Sequence, residues 1–264
     1  MSGTEVACPG VKQRIETATT ALRRERRRTA DELEALCAFE DRIRTTASVE
    51  SQNGGRQTIG HLTAGATATT ELNRIRDAYE TTVMSVPHYI EEYDDTYVES
   101  LCEEFSPDLA AALTDGTAFS EWCKQALLSA VSESQSQRDW LLNALDAEHG
   151  SLEEARGELT TIAEELTDLE EQSFQTATFG ALDAYRARLG TLESKCETTS
   201  ETRQTELFEQ RRENRFPDQI PDIAVYVYQE LEETYPVLSV ITDLIEWIQK
   251  LRSDVEKAMT YCHR

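Results

Sequence analysis

Between Pro107 and Pro217 the chain contains no proline, and through that interval one stripe of positions recurs at steps of three or four residues. It runs Leu127, Val131, Ser134, Arg138, Leu141, Leu145, Glu148, Leu152, Ala155, Leu159, Ile162, Leu166, Leu169. A seven-residue repeat kept up over several heptads predicts a long helix with a coiled-coil seam. Ser134, Arg138 and Glu148 are polar seam positions, of the kind that fix register at a cost in stability. Gly150 and Gly157 weaken such a helix without having to break it.

The stretch "EEQSFQTATFG" offers a turn, with Ser173 or Thr176 as N-cap. A second run follows at Leu182, Tyr185, Leu189, Leu192, Cys196, Thr199 and Arg203. A short connection between two long helices makes them antiparallel. A further helix is expected over 9–47, with Val11, Ile15, Ala18, Leu22, Leu36, Phe39 and Ile43 on one face and a polar middle, "RRERRRTADE". The acidic "LEEARGELTTIAEELTDLEE" is its expected counterpart, because flanking charges of opposite sign select partners in coiled coils. The expected fold is therefore all-α, an elongated antiparallel coiled-coil stalk (9–47 and 117–213) with a smaller helical head (69–116 and 217–264). The Gly- and Ser-rich residues 48–68 read as a flexible loop.

Proline also marks two joints. Pro87 disfavours helix at Val86, so "VPHY" reads as a bend, and Tyr235-Pro236 interrupts the apolar C-terminal stretch in the same way. Tyr79, Tyr89, Tyr93 and Tyr97 surround the first joint, and Tyr226, Tyr228 and Tyr235 the second. One head built from both segments would bury these rings and give their hydroxyls partners. Pro87, His88, Tyr89, Tyr93 and Pro236, with Tyr79, Tyr226, Tyr228 and Tyr235, are thus the candidate interaction residues. "SPDLAAALTDG" is a self-contained helix, capped by Ser106, opened by Pro107 and ended by Gly116.

Candidate chemistry is sparse. His88 with Glu91 and Glu92 has the residue types for a metal or a proton transfer, but no second ligand is near it in sequence. A di-iron bundle needs two Glu-x-x-His pairs, and only Asp146 and His149 approach that spacing. No Gly-rich phosphate loop, GxSxG or HExxH motif occurs. The expectation is a protein with no catalytic residues, metal or cofactor.

The six cysteines form no CxxC pair, and reduced, buried thiols are expected. The chain carries 50 acidic and 26 basic residues, a net charge of -24, with few lysines and abundant Thr and Ala. That is the composition of a protein whose solvent is concentrated salt, where the Debye length falls to about 3 Å and like charges repel little. The balance argues against nucleic acid as a partner, although Arg23, Arg24, Arg26, Arg27 and Arg28 form one basic patch that a regulatory nucleic-acid-associated protein could use. There is no apolar run of transmembrane length, and "MSGTEVACPG" lacks the basic and apolar regions of a secretory signal, so a cytoplasmic protein is expected.

Several segments together resemble a haloarchaeal family known as a domain of unknown function: "AYETTVMSVPHYIEEYDDTYVESLCEEFSPDLAAAL", "LLNALDAEHGSLEEA", "KCETTSETRQ" and "VYVYQELEETYPVL", with the Arg/Glu-rich first helix. The resemblance covers nearly the whole chain, and "VPHY…EEY" and "YPVL" are its most specific parts. It implies a halophilic origin and a cytoplasmic helical protein, and it brings no catalytic or binding residue with it. The leading expectation is an interaction or scaffold protein that engages another protein or itself. A nucleic-acid-associated protein comes next, then an enzyme centred on His88.

Screening should relieve repulsion among the carboxylates. Helicity and melting temperature, followed by circular dichroism, are therefore expected to rise as KCl goes from low to molar concentration. A flat or falling melting temperature would remove the halophile argument.

Overall fold

The structure, a computed structural model, describes residues 7–48, 61–213 and 222–262. Its elements are α1 (Ala7–Thr45), α2 (His61–Thr81), α3 (Tyr89–Glu92), α4 (Tyr97–Glu104), α5 (Pro107–Thr114), α6 (Glu121–Glu170), α7 (Phe179–Glu213), α8 (Ile223–Val227) and α9 (Pro236–Cys262). Single 3-10 turns lie at Val83–Ser85 and Phe174–Thr176. The fold is all-α, with no strand among the described residues. No described helix is long and apolar enough to cross a membrane.

The chain divides into two units, Met1–Glu25 with Ala144–Arg264, and Arg26–Asn143. Both boundaries fall inside helices, α1 and α6. This division differs from the stalk and head expected from the proline pattern. Pro87 belongs to the second unit and Pro236 to the first. The hydroxyls of Tyr79, Tyr89 and Tyr93, and those of Tyr226, Tyr228 and Tyr235, find their partners within their own units.

In the first unit α6 and α7 run antiparallel. Arg203 meets Glu148, Thr199 donates to Glu158 at 2.7 Å, and Arg188 Nε donates to Glu165 at 2.7 Å. Of the expected stripes, Leu145, Leu152, Leu159 and Leu166 on α6 and Leu182, Leu189, Leu192 and Cys196 on α7 are buried, while Leu141, Leu169 and Tyr185 are partly buried. Helix α9 lies antiparallel to α7, with Arg252 on Glu193 and the Cys262 thiol on the Ala177 carbonyl. Pro236 opens α9 with a preset φ. Its buried face, Val237, Val240, Ile241, Leu244, Ile248, Leu251 and Val255, has the three- and four-residue steps of a helix packed on one side. Each such side chain contributes about 1.5–3 kcal/mol on burial.

The second unit packs Leu36, Phe39 and Ile43 of α1 against Leu72, Ile75 and Tyr79 of α2, with Leu101, Leu113, Leu127 and Val131 closing the core. The Tyr79 ring stands edge-on to Phe39, centroids 5.3 Å apart. Helix C-termini leave carbonyls without intrahelical donors. Lys124 answers those of Arg44 and Thr46 at 3.0 and 2.7 Å, and Arg76 those of Leu113 and Thr114, both at 2.6 Å.

Several local expectations change. Between Tyr89 and Phe105, inside the expected head, the chain forms two helices, because Asp94 takes a left-handed φ of 48° and Thr96 then starts α4 with a capping box to Glu99. The expected loop over 48–68 is helical from His61, where α2 begins, and residues 49–60 lie outside the described residues. Its Leu and Ala content outweighs the roughly 1 kcal/mol penalty of one glycine. Thr178, rather than Ser173 or Thr176, caps α7, accepting from Ala181 N at 3.4 Å. Cys123 and Cys196 are buried as expected, but Cys37 and Cys262 are exposed.

At the start of the arginine run Arg23 lines a hollow with Glu153 and Arg156 of the acidic stretch 152–171, while Arg24 pairs with Glu230 and Arg28 with Glu92. On the exposed faces, Thr17, Thr20, Thr161, Thr191, Thr198, Thr205 and Thr242 each turn the hydroxyl back onto the carbonyl four residues earlier.

Glu148 is 0% exposed and Arg203 4%. Removing one member of such a pair strands the other charge, which costs about 3–5 kcal/mol. Arg203→Met is expected to lower unfolding free energy by that amount in urea titration. Glu148→Met on top of it should restore most of the loss. Strictly additive losses would show that the two side chains do not act as a pair.

Candidate functional site

The residues around Pro87 come together through one carboxylate. Glu32 sits on α1 in the polar middle of its stripe, three residues after Thr29 and four before Leu36, so helical spacing turns it inward. Its Oε1 accepts from His88 Nε2 at 3.0 Å and from the Tyr93 hydroxyl at 2.8 Å. Its Oε2 accepts from Arg138 Nε at 3.2 Å. The other edge of Arg138 forks onto Glu104, at 2.9 and 2.6 Å. Planar guanidinium and planar carboxylate match bidentately. Burial works against the Arg138 charge, but Glu104 and Glu32 outweigh it and hold its pKa above the ordinary value.

The backbone explains how the joint reaches these groups. Val86 is extended, at φ -60° and ψ 145°, as the residue before proline should be. The chain then turns into α3, a helix of four residues, which leaves His88 and Tyr89 buried and Pro87 exposed. A carboxylate can only accept, so His88 Nε2 carries the hydrogen it shares with Glu32. That nitrogen is therefore occupied. No group of three or more His, Cys, Asp or Glu side chains is placed to hold a metal among the described residues. Tyr79 is fully buried, and its hydroxyl lies 2.8 Å from Ser100 Oγ. Burial pushes the Tyr79 phenol well above its usual range, and that of Tyr97 up to about 12. Neither is a proton donor or acceptor near neutrality.

A cavity of roughly 230 Å³ lies beside this network, reached by Glu32, Tyr89, Tyr93, Glu104 and Arg138. Around it the small helices expose large apolar side chains. Ile90 is 77% exposed, Tyr93 47% and Val98 44%.

The second joint belongs to the first unit and is closed. Tyr228 donates to Glu148 at 2.8 Å beside Arg203, whose Nη1 also reaches Ser151 at 2.7 Å. Desolvation, then Glu148, drives the Tyr228 phenol far above its usual range. Tyr226 donates to Glu25. Tyr235 donates to Asp222 at 3.1 Å and accepts from Arg211 at 2.9 Å, while Asp222 caps α8 through Val225 N. Pro236 is buried. Of the basic patch, Arg24 and Arg28 are in ion pairs, and Arg23, Arg26 and Arg27 are exposed on α1.

Sequence reading found the tyrosines and the polar seam positions Arg138, Glu148 and Arg203, but not that each set answers the other. It missed Glu32, Glu104 and Asp222. For Glu32 a signal exists: continuing the α1 stripe from Leu22 in steps of three and four passes through Glu25, Thr29 and Glu32 before Leu36.

No curated protein and no solved structure matches the chain. A family described as a domain of unknown function, DUF7260, matches residues 13–252, a span that includes both joints, both buried ion-pair networks and nearly all of the helical framework. The chain therefore belongs to the DUF7260 family.

Proposed function

We propose that this chain is a non-catalytic helical interaction or scaffold protein of a halophilic archaeon, acting in the cytoplasm. The observation that carries this reading is the contrast at the Pro87 joint. Its His88 ring nitrogen and Tyr93 hydroxyl are consumed internally by Glu32, while Ile90 and Val98 on helices of four and eight residues, and the Tyr93 ring just after the first, are left to solvent. Exposed apolar residues scattered singly are ordinary, but three on so short a segment are what an interface with another protein would use. The long paired helices α6 and α7 we read as a coiled coil.

The alternatives have less behind them. A general base at His88 would have to act through Nδ1, since Nε2 is held by Glu32, and the ring is buried. A phosphate-binding role would draw on the arginine run, where Arg24 and Arg28 already carry carboxylate partners. An acidic protein of this kind has only a narrow basic face to offer a polyanion.

The test is affinity capture from a molar-KCl extract with wild-type protein and with Ile90→Asp/Val98→Asp as bait. Both positions are exposed, so the variant should keep its melting temperature, surface changes usually lying within about 0.5 kcal/mol. It is expected to lose at least about tenfold of the partner that wild type retains, the equivalent of 1.4 kcal/mol in binding. Equal recovery by both baits would sink the reading.

A further inference from the structure

We infer that the cavity beside the Pro87 joint receives a lysine or arginine side chain from a partner segment that is apolar on either side of it, an inference that rests on the interaction reading above. The charges around the cavity are unequal. Glu32 and Glu104 share the one guanidinium among the lining residues, Arg138, so this trio alone carries one uncompensated negative charge. Asp95 and Glu103 also line the space, and neither has a cation paired with it among the described residues. A cation brought in from outside would complete this arrangement. An anion would meet a guanidinium already forked by Glu104 and contacted by Glu32.

The remaining walls say what kind of cation. Leu36, Val83 and Val86 supply apolar lining, and Tyr89 and Tyr93 add two aromatic rings, tilted to each other with centroids 5.7 Å apart. Basic side chains lay their methylene stems on apolar surface and keep the charged head among polar groups, and aromatic faces attract that head. A bare metal ion would use neither wall. At roughly 230 Å³ the space falls below the ~300–1,000 Å³ typical of sites for drug-sized molecules, so it suits one long side chain. Tyr93 and Glu103 are exposed, which opens that rim to solvent. Ile90 and Val98 stand exposed on the same two short helices, ready for apolar residues flanking the basic one.

The experiment is selection of a random peptide library displayed on phage against the full-length chain at moderate ionic strength, repeated on Asp95→Asn/Glu103→Gln. Glu91→Gln serves as control, since Glu91 is an exposed carboxylate on the same turn but outside the cavity. Wild type and the Glu91 variant are expected to enrich peptides with lysine or arginine at one fixed position between apolar residues. Synthetic copies should bind the Asp95→Asn/Glu103→Gln protein at least tenfold more weakly, with its melting temperature unchanged. Replacing the basic residue with norleucine should weaken binding to wild type by a similar factor. Peptides without a fixed basic residue, or held equally by the double variant, overturn this inference and leave the interaction reading standing. Selection of no peptide by any protein overturns both. Sedimentation of the chain alone covers the rival occupant: a dimer that Asp95→Asn/Glu103→Gln dissolves would give the site to a second copy.

Discussion

A carboxylate carried into the apolar seam between helices must be met there by a cation and by hydrogen-bond donors, because the desolvation of an unpaired ion amounts to several kcal/mol. Each unit of this protein builds around one answer to that demand. In the first, Arg203, Tyr228 and Gln210 converge on Glu148. In the second, Arg138 is held between Glu32 and Glu104, and His88 and Tyr93 complete the shell of Glu32. These are not interchangeable with apolar packing in what they specify. A leucine seam tolerates a slip by one heptad, whereas a guanidinium fork has one partner at one height along the helix.

The short helices depend on the same groups. Helices of four, five and eight residues do not hold themselves in water, since nucleation is unfavourable and few bonds follow it. Here α3 is tied by His88 and Tyr93 to Glu32, α4 by Glu104 to Arg138, and α8 by Asp222, which caps its first turn and also accepts from Arg211. Caps supply the rest: Thr96 with Glu99 ahead of α4, and Ser106 before Pro107 ahead of α5. The joints are thus places where local turns are bolted onto long helices by side-chain bonds as well as by the burial of Leu101, Leu113, Ile223 and Val227.

What the sequence disclosed followed from periodicity and proline. Helical class, the buried faces of α6 and α7, the break before Pro87 and the Ser106–Pro107 start of α5 all depend on residues within a few turns of one another. The partition into units does not. It depends on which long helix each tyrosine hydroxyl reaches: Tyr228 finds Glu148, 80 positions away, and Tyr93 finds Glu32, 61 positions away. Nothing in a one-dimensional pattern distinguishes those pairings from one in which the tyrosine clusters meet each other. The break at Asp94 was hidden for a different reason. A single aspartate entering the left-handed region leaves the apolar spacing on either side intact, so the stripe reads as continuous across it. In the site, the tyrosines stood out by composition, while Glu32 was one glutamate among many.

The exposed threonines have an implication of another sort. A hydroxyl has one hydrogen to give, and along these helices exposed threonines such as Thr17, Thr45, Thr81, Thr161 and Thr198 give it to the carbonyl a turn behind. Such a residue asks less of the surrounding liquid than a serine or asparagine whose donors face out. Hydration of this surface accordingly falls chiefly to its carboxylates, which bind water strongly and release it last. When sugar or salt lowers the activity of water, a surface so divided gives up little that it was using.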